Sequence, residues 1–463
     1  MVFSSTVFLF LFLPAVWLLY LLIPKRAISA RNALLGVASL LFYAYGEPIY
    51  IVIMLFSVLF NYAAAIAIGK SEHKKRILTV FAVAINLFIL GFFKYIPWIC
   101  SLLPFEVPLP ALSLPVGISF YTFQILSYVL DVSRGRVAVQ NNYFTLLLYI
   151  SFFPQLIAGP IVTYDDIHDQ LASREVTLSS TAYGIRRFIL GLSKKLIISN
   201  TAAVIADAAF SAAAPSSALA WAGAITYCLQ IYFDFSGYSD MAIGLASIFG
   251  FSICENFNYP YSATTIRDFW KRWHISLTTW FREYVYIPLG GNRGSTARTI
   301  FNRIFVFFLT GIWHGANFTY IIWGLWHGAL MMLERLLHFD RLEKKRPLRP
   351  LLRVYTLLCV ALGFVVFRAP GITHAVRFIG RMFSFGGSSA DVTGFFSPYT
   401  VLVLALGVIL SAPVYAAVQQ KALSCGKESL WNGVVSVLCI PLFALCVMTL
   451  ASSSFNPFIY YIF

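Results

Sequence analysis

This sequence predicts an all-α polytopic membrane protein, and three observations predict it. Of its 463 residues, 59% are hydrophobic and only 11% charged, against about 25% charged in an ordinary soluble domain. Aromatic residues make up a further signal at 17%. The third is arrangement: apolar runs recur along the whole chain, separated by short loops that hold most of the Lys and Arg. Length alone would allow about three soluble domains, but this pattern argues for a single integral membrane domain over residues 1–463.

The first apolar run, Phe3 to Pro24, reads as a retained span, because no basic segment precedes it and no small-residue cleavage site follows. Basic loops at Lys25–Arg31, Lys70–Arg76, Arg134–Arg136, Arg293–Arg298, Arg341–Arg353 and Lys421–Lys427 go to the cytoplasm by the positive-inside rule, which puts the N-terminus outside. Spans are then expected near 3–23, 33–46, 49–68, 77–98, 116–131, 143–162, 216–238, 301–313, 318–337, 354–368, 399–418 and 431–450. Several fall short of the roughly 20 residues that cross the hydrocarbon, so re-entrant or broken helices are expected among them. Two stretches are too basic for spans and suit interfacial helices: Gly184 to Asn200, and Thr264 to Gly291 with Arg267, Asp268, Lys271, Arg272, Arg282 and Glu283.

The formal charge of +15 follows from those loops. It needs no nucleic-acid partner, although part of it can attract an anionic substrate such as a CoA thioester. The seven cysteines are scattered without a CxxC pair and read as small buried hydrophobes, so neither a disulfide framework nor a zinc site is expected.

Four clusters of polar residues interrupt the apolar sequence. Gln124, Ser127 and Asp131 share a helix face, which suits interhelical hydrogen bonds worth about 1 kcal/mol or less each; tunnel lining is the lesser alternative. In "YFDFSGYSDMAIG" (232–244), Asp234 and Asp240 read equally as intramembrane functional carboxylates or as caps where a helix begins at the membrane surface, with Gly237 marking such a break. His274, in "FWKRWHISL", reads by itself as an amphipathic surface histidine.

The fourth cluster is "GIWHGANFTYIIWGLWHG" (311–328), with His314 and His327 each between Trp and Gly. On one helix their spacing of 13 would set them about 220° apart, so Gly311, Gly315 and Asn317 are expected to break the helix between them. A neutral imidazole in an enclosed site suits general-base work near pH 7. No HxxxH or HExxH, GxSxG, P-loop or dinucleotide fingerprint competes in a suitable context, and no metal site is expected.

Together with "LPVGISFYTFQILSYVLDVSRG" (114–135), "FFPQLIAGPIV" (152–162), the block from Asn256 to Gly294 and the closing "FNPFIYYIF", these stretches closely resemble the membrane-bound O-acyltransferases. The resemblance is to the bacterial branch that includes the alginate O-acetyltransferase membrane subunit, with the peptidoglycan and teichoic-acid subunits as relatives. It implies a fold of roughly 11–12 transmembrane helices, with interfacial and re-entrant helices around a central tunnel. It also implies acyl transfer from cytoplasmic acetyl-CoA across the inner membrane, with no bound cofactor. The acyl group would pass to a separate periplasmic acetyltransferase, of SGNH or alginate type, that modifies an extracytoplasmic polysaccharide or peptidoglycan.

By motif, the resemblance makes His314 the general base. His274 becomes the second polar position, orienting His314 or donating to the developing oxyanion, and His327 ranks third. Asp234 and Asp240 fall on motif positions as substrate-binding candidates, and Lys271, Arg272 and Arg282 become candidate contacts for CoA phosphates. The alternatives are a transporter of an acyl carrier or glycan without covalent chemistry, a D-alanyl transfer subunit, and a purely structural subunit.

Overall fold

The computed structural model describes residues 1–105, 113–384, 390–452 and 458–459. The closing "FNPFIYYIF" lies mostly outside these residues. Among the described residues every regular element is helical. A π-helical turn, Phe8–Phe12, runs into α1 (Leu13–Leu22), followed by α2 (Ile28–Gly46), α3 (Ile51–Lys70) and α4 (Lys75–Ser101). Next come α5 (Ile118–Arg134), the short α6 (Tyr143–Ser151), α7 (Phe153–Leu156) and α8 (Tyr164–Ala172). Then α9 (Leu178–Ser193), a π-helical stretch Lys194–Ser199 and α10 (Asn200–Ser211) form one run, and α11 (Ser217–Ile248) follows.

Two short helices, α12 (Ile266–Arg272) and α13 (Ile275–Phe281), lead to α14 (Thr296–His314), α15 (Phe318–Leu336) and α16 (Phe339–Leu342). The chain continues through α17 (Arg349–Arg368), α18 (Ile372–Met382), α19 (Ala390–Thr393), α20 (Pro398–Ser411), α21 (Val414–Ser424) and α22 (Glu428–Ser452). Its contacts divide it into two compact units: Met1–Ile189, Tyr238–Glu255, Pro457–Phe463, and Leu190–Gly237, Asn256–Asn456.

Polar residues hold the first unit together. Asn61 of α3 and Asn86 of α4 exchange amide hydrogen bonds at 3.0 and 2.7 Å, so each satisfies the other inside apolar helices. Lys94 Nζ donates to Ser119 Oγ of α5 at 3.0 Å. Every side chain from Ile118 to Val129 of α5 is buried, so its Gln124, Ser127 and Asp131 face protein. Ser127 Oγ donates to the carbonyl of Gln124 at 2.7 Å, a carbonyl that also accepts from Tyr149 of α6 at 3.4 Å.

Among the described residues, five helical runs are long and apolar enough to cross a membrane: Ile51–Lys70, Lys75–Ser101, Leu178–Ser211, Arg346–Arg368 and Glu428–Ser452. Taking α20 and α21 as one span bent by 59° makes a sixth. The structure corrects three sequence expectations. The 184–200 stretch is not a separate short helix: it lies inside the 34-residue run Leu178–Ser211, which has the length and composition of a span. The expected span at 143–162 is nine residues of helix, α6, capped by the Asn142 side chain and ended at Phe152, with Pro154 opening the next turn. The break expected at Gly237 does not exist: α11 is continuous for 32 residues through Asp234 and Asp240, which removes the helix-cap reading of those carboxylates.

The second unit holds the α14–α15 hairpin, with α17 packed on α15. A methyl group at Gly311 would overlap the Tyr320 carbonyl, and one at Gly324 the Phe307 carbonyl. These two glycines let the helix backbones touch, as small residues do between membrane helices. Gly324→Ala should therefore cost about 1–3 kcal/mol through overpacking. Gly433→Ala in α22, where a methyl meets open space, should leave stability unchanged or slightly raised. Thermal unfolding of the detergent-solubilised variants, followed by tryptophan fluorescence, reads the contrast; equal midpoints would refute the close-contact argument.

Candidate active site

The hairpin turn is built from Gly315 to Asn317, the break that the sequence predicts. Asn317 Oδ1 accepts the Thr319 amide at 3.1 Å, and its Nδ2 donates to the Pro370 carbonyl at 3.0 Å. A methyl at Gly315 would strike the Tyr320 ring, so the residue after His314 has to be small. With the helix broken there, His314 at the end of α14 and His327 on α15 both reach one side chain. The Trp323 indole has His314 edge-on at 4.9 Å and His327 at 5.3 Å between ring centres. The 220° objection to a shared site is thereby lifted.

His327 is fully buried. Phe269 stacks against it at 6.2 Å and 9°, and Trp270 meets it edge-on at 5.4 Å. Both its ring nitrogens are buried without a hydrogen-bond partner among the described residues. Gly363 of α17 faces Nε2 so closely that a Cβ would lie 2.9 Å from it. His314 is buried as well, with Trp313 at 5.0 Å and Phe367 at 5.2 Å.

His274 is also fully buried, so the surface reading of this residue is corrected. It sits between α12 and α13 with φ 45°, a left-handed conformation that costs a non-glycine residue of order 1 kcal/mol or more and has to be held by its surroundings. Asn256 holds it: one Oδ1 atom accepts from the Ser276 amide at 3.2 Å and from Ser276 Oγ at 2.9 Å, and lies 3.1 Å from His274 Nδ1. An oxygen that accepts makes Nδ1 the donor, so the proton of the neutral imidazole is on Nδ1 and the lone pair on Nε2. Burial pushes the pKa of His274 down to about 3, which keeps it neutral. In this state Nε2 accepts protons or hydrogen bonds, and this hydrogen bonding opposes the oxyanion-donor role considered for it. Phe235 meets the ring edge-on at 4.7 Å and Trp313 lies 6.0 Å away. The three histidines are thus joined ring to ring, His274 to Trp313 to His314 to Trp323 to His327.

Glu334, two turns beyond His327 on α15, is buried and accepts the amides of Ile266 at 2.6 Å and Arg267 at 3.2 Å. It fastens the start of α12, the helix whose Phe269 and Trp270 enclose His327. Of the basic candidates, Arg272 pairs with Asp268 at 3.0 Å and Arg282 with Glu283 at 3.0 Å, while Lys271 is exposed. Asp234 is held by Lys195 at 2.5 Å. Asp240 belongs to the first unit, where Arg187 bonds it at 2.6 Å and also grips Glu255. Among the described residues no three His, Cys, Asp or Glu side chains converge as a metal site would need.

Residues 70–374 of the chain match the membrane-bound O-acyltransferase family. The chain belongs to that family. A probable alginate O-acetylase of Azotobacter vinelandii is 40% identical over the full length of both chains. The peptidoglycan O-acetyltransferase of Helicobacter pylori is 34% identical over 84% of this chain and 81% of its own. The teichoic acid D-alanyltransferase of Bacillus subtilis is 29% identical over 54% of this chain and 65% of its own. The chain is a multi-pass membrane O-acyltransferase.

Sequence reasoning missed Asn256, Glu334 and Lys195. Glu334 left a signal, a lone acid near the end of the apolar run 318–337, and Lys195 left one in the basic pair of the 184–200 stretch, which reads as interfacial; Asn256 left none.

The depressed pKa of His274 has a measurable consequence. An unfolded histidine titrates near 6.5, so below that pH the unfolded chain binds a proton that the folded one refuses. Stability should fall as pH drops from about 6.5 toward 3, by up to about 1.4 kcal/mol per pH unit from this group. His274→Gln should show a shallower fall in acid titrations of the detergent-solubilised protein. Identical slopes in the two proteins would remove the assignment.

Proposed function

We propose that this acyltransferase takes an acetyl group from acetyl-CoA on the cytoplasmic side of the inner membrane and passes it outward for O-acetylation of an extracytoplasmic polysaccharide, with His314 as general base. The observation that carries this reading is the buried cluster in which His314 ends α14 within ring contact of Trp323, which His327 also touches. The basic stretches 293–298 and 341–353 flank the α14–α15 hairpin, so the positive-inside rule keeps its two ends on the cytoplasmic side and points its tip, and His314 with it, into the membrane. A base there meets an acceptor arriving from outside, while the thioester comes from within.

The step balances on these parts. The acceptor hydroxyl gives its proton to His314 as its oxygen bonds the acetyl carbon. The C–S bond then breaks, and the CoA thiolate takes a proton back from the imidazolium. General-base help of this kind is worth about 10²–10⁴-fold, and holding donor and acceptor in line adds more. His274, neutral and held by Asn256, positions the Trp313–His314 end of α14 through its ring contact. Lys271 is the candidate for the CoA phosphates, with Arg272 and Arg282 contributing if they exchange their neighbouring carboxylates for phosphate. The acceptor is a hydroxyl on a separate periplasmic acetyltransferase. Higher identity to the alginate O-acetylase than to the peptidoglycan O-acetyltransferase or the D-alanyltransferase favours an acetyl donor and an alginate-like polymer.

The test is release of free CoA from acetyl-CoA by the protein in lipid nanodiscs with its partner acetyltransferase. His314→Ala should lower release by about 10²-fold or more. Release from His314→Ala equal to wild type would refute the reading. Loss only in His327→Ala would transfer the base to α15.

A further inference from the structure

Two helical runs of the second unit meet at a fully buried ion pair. Lys195 Nζ lies 2.5 Å from Asp234 Oδ1, and the side chains are 2% and 1% exposed. Ser199 Oγ is 3.4 Å from the same carboxylate oxygen and donates to the Gln230 carbonyl at 3.1 Å. Lys195 and Ser199 belong to the π-helical stretch Lys194–Ser199, an arrangement found mostly as single turns and often at functional sites. Gly237, one turn beyond Asp234, brings α11 backbone to backbone against this stretch: a Cβ there would lie 2.7 Å from the Gly191 carbonyl and 3.3 Å from the Lys195 amide.

The opposite side of the same turn of α11 serves the active site. Phe235 meets His274 edge-on at 4.7 Å and Phe257 at 5.1 Å, and Tyr232 lies 6.3 Å from Trp273. Residues 232 and 235 are about 60° apart on the helix, with Asp234 about 100° or more from either. One turn of α11 is therefore gripped by an ion pair on one side and presses on the His274 segment with the other.

Replacing a buried ion pair by apolar residues of similar size is often neutral or stabilising, so such a pair is weak evidence for stability and is better suited to fixing one arrangement among several. We infer that Lys195 and Asp234 are positioning residues for His274, setting the rotation and depth of α11 so that Phe235 seats the imidazole, and that Asp234 is no contact of the substrate. The inference rests on the proposed acyl transfer only in taking His274 as part of the working site.

The experiment compares wild type, Lys195→Met, Asp234→Asn and the double variant Lys195→Met/Asp234→Leu in nanodiscs. Two readouts are taken: kcat and KM for CoA release with the partner present, and carbethoxylation of His274 by diethylpyrocarbonate, mapped by mass spectrometry. The single variants should lose roughly tenfold or more in kcat with KM little changed, and His274 should become reactive. The double variant should recover most of the kcat and protect His274 again. A loss that appears in KM and persists in the double variant would make Asp234 a substrate contact and overturn the inference. So would single variants with native kcat and a protected His274. If the single variants fail to accumulate, the double variant decides alone: near-native turnover supports the inference and an inactive, folded double variant refutes it. If His314→Ala releases CoA as wild type does, the proposed function fails, while the labelling of His274 still reports on the pair.

Discussion

The backbone contact between α14 and α15 is the constraint from which the site follows. Two helices so close that a methyl group at Gly311 or Gly324 would overlap the facing carbonyl are held at one separation and one depth. At that depth the Trp323 indole falls between an imidazole at the end of one helix and an imidazole in the middle of the other. A larger residue at either glycine would push the axes apart, and the ring contacts, which act over 4.9 to 5.3 Å here, would open first. The chemistry therefore depends on the absence of side chains as much as on their presence.

Around this contact the protein keeps polar groups buried and mostly assigned. Asn256 holds His274 in an unfavourable backbone conformation and decides which of its nitrogens bears the proton. Glu334 ties down the start of α12 through two amides. His327 differs from these, because neither of its ring nitrogens has a hydrogen-bond partner among the described residues and its neighbours are aromatic rings. An imidazole left in that state is less stable than one bonded, and it stays because aromatic rings and the space at Gly363 fit it closely.

The parts of this architecture legible in sequence are those written in composition and in local spacing. Apolar runs between basic loops identify a helical membrane protein, and Gly315 with Asn317 identifies the turn that allows His314 and His327 to meet. What sequence did not disclose depends on partners far along the chain. His274 looked like a surface residue because its neighbours are basic, and the residue that orders it, Asn256, is 18 positions away. The Lys-rich stretch near 195 looked interfacial because its carboxylate partner is 39 positions on, at Asp234. Asp234 and Asp240 looked like one cluster, yet each is neutralised by a different cation. The short α6 was hidden for another reason: a buried apolar segment and a lipid-facing one have the same composition.

The π-helical stretch at Lys194–Ser199 has an evolutionary consequence. An α-helix advances by about 100° per residue, and a π-turn accommodates one residue more than an α-turn does. Deleting a single residue in this stretch would let the run Leu178–Ser211 become α-helical throughout with hardly any change in length. Because the wider turn absorbs the extra residue, the side chains after the deletion would keep nearly the same direction relative to those before it. Relatives with and without that residue would differ by a one-residue gap, yet present the same face of α10 to its neighbours.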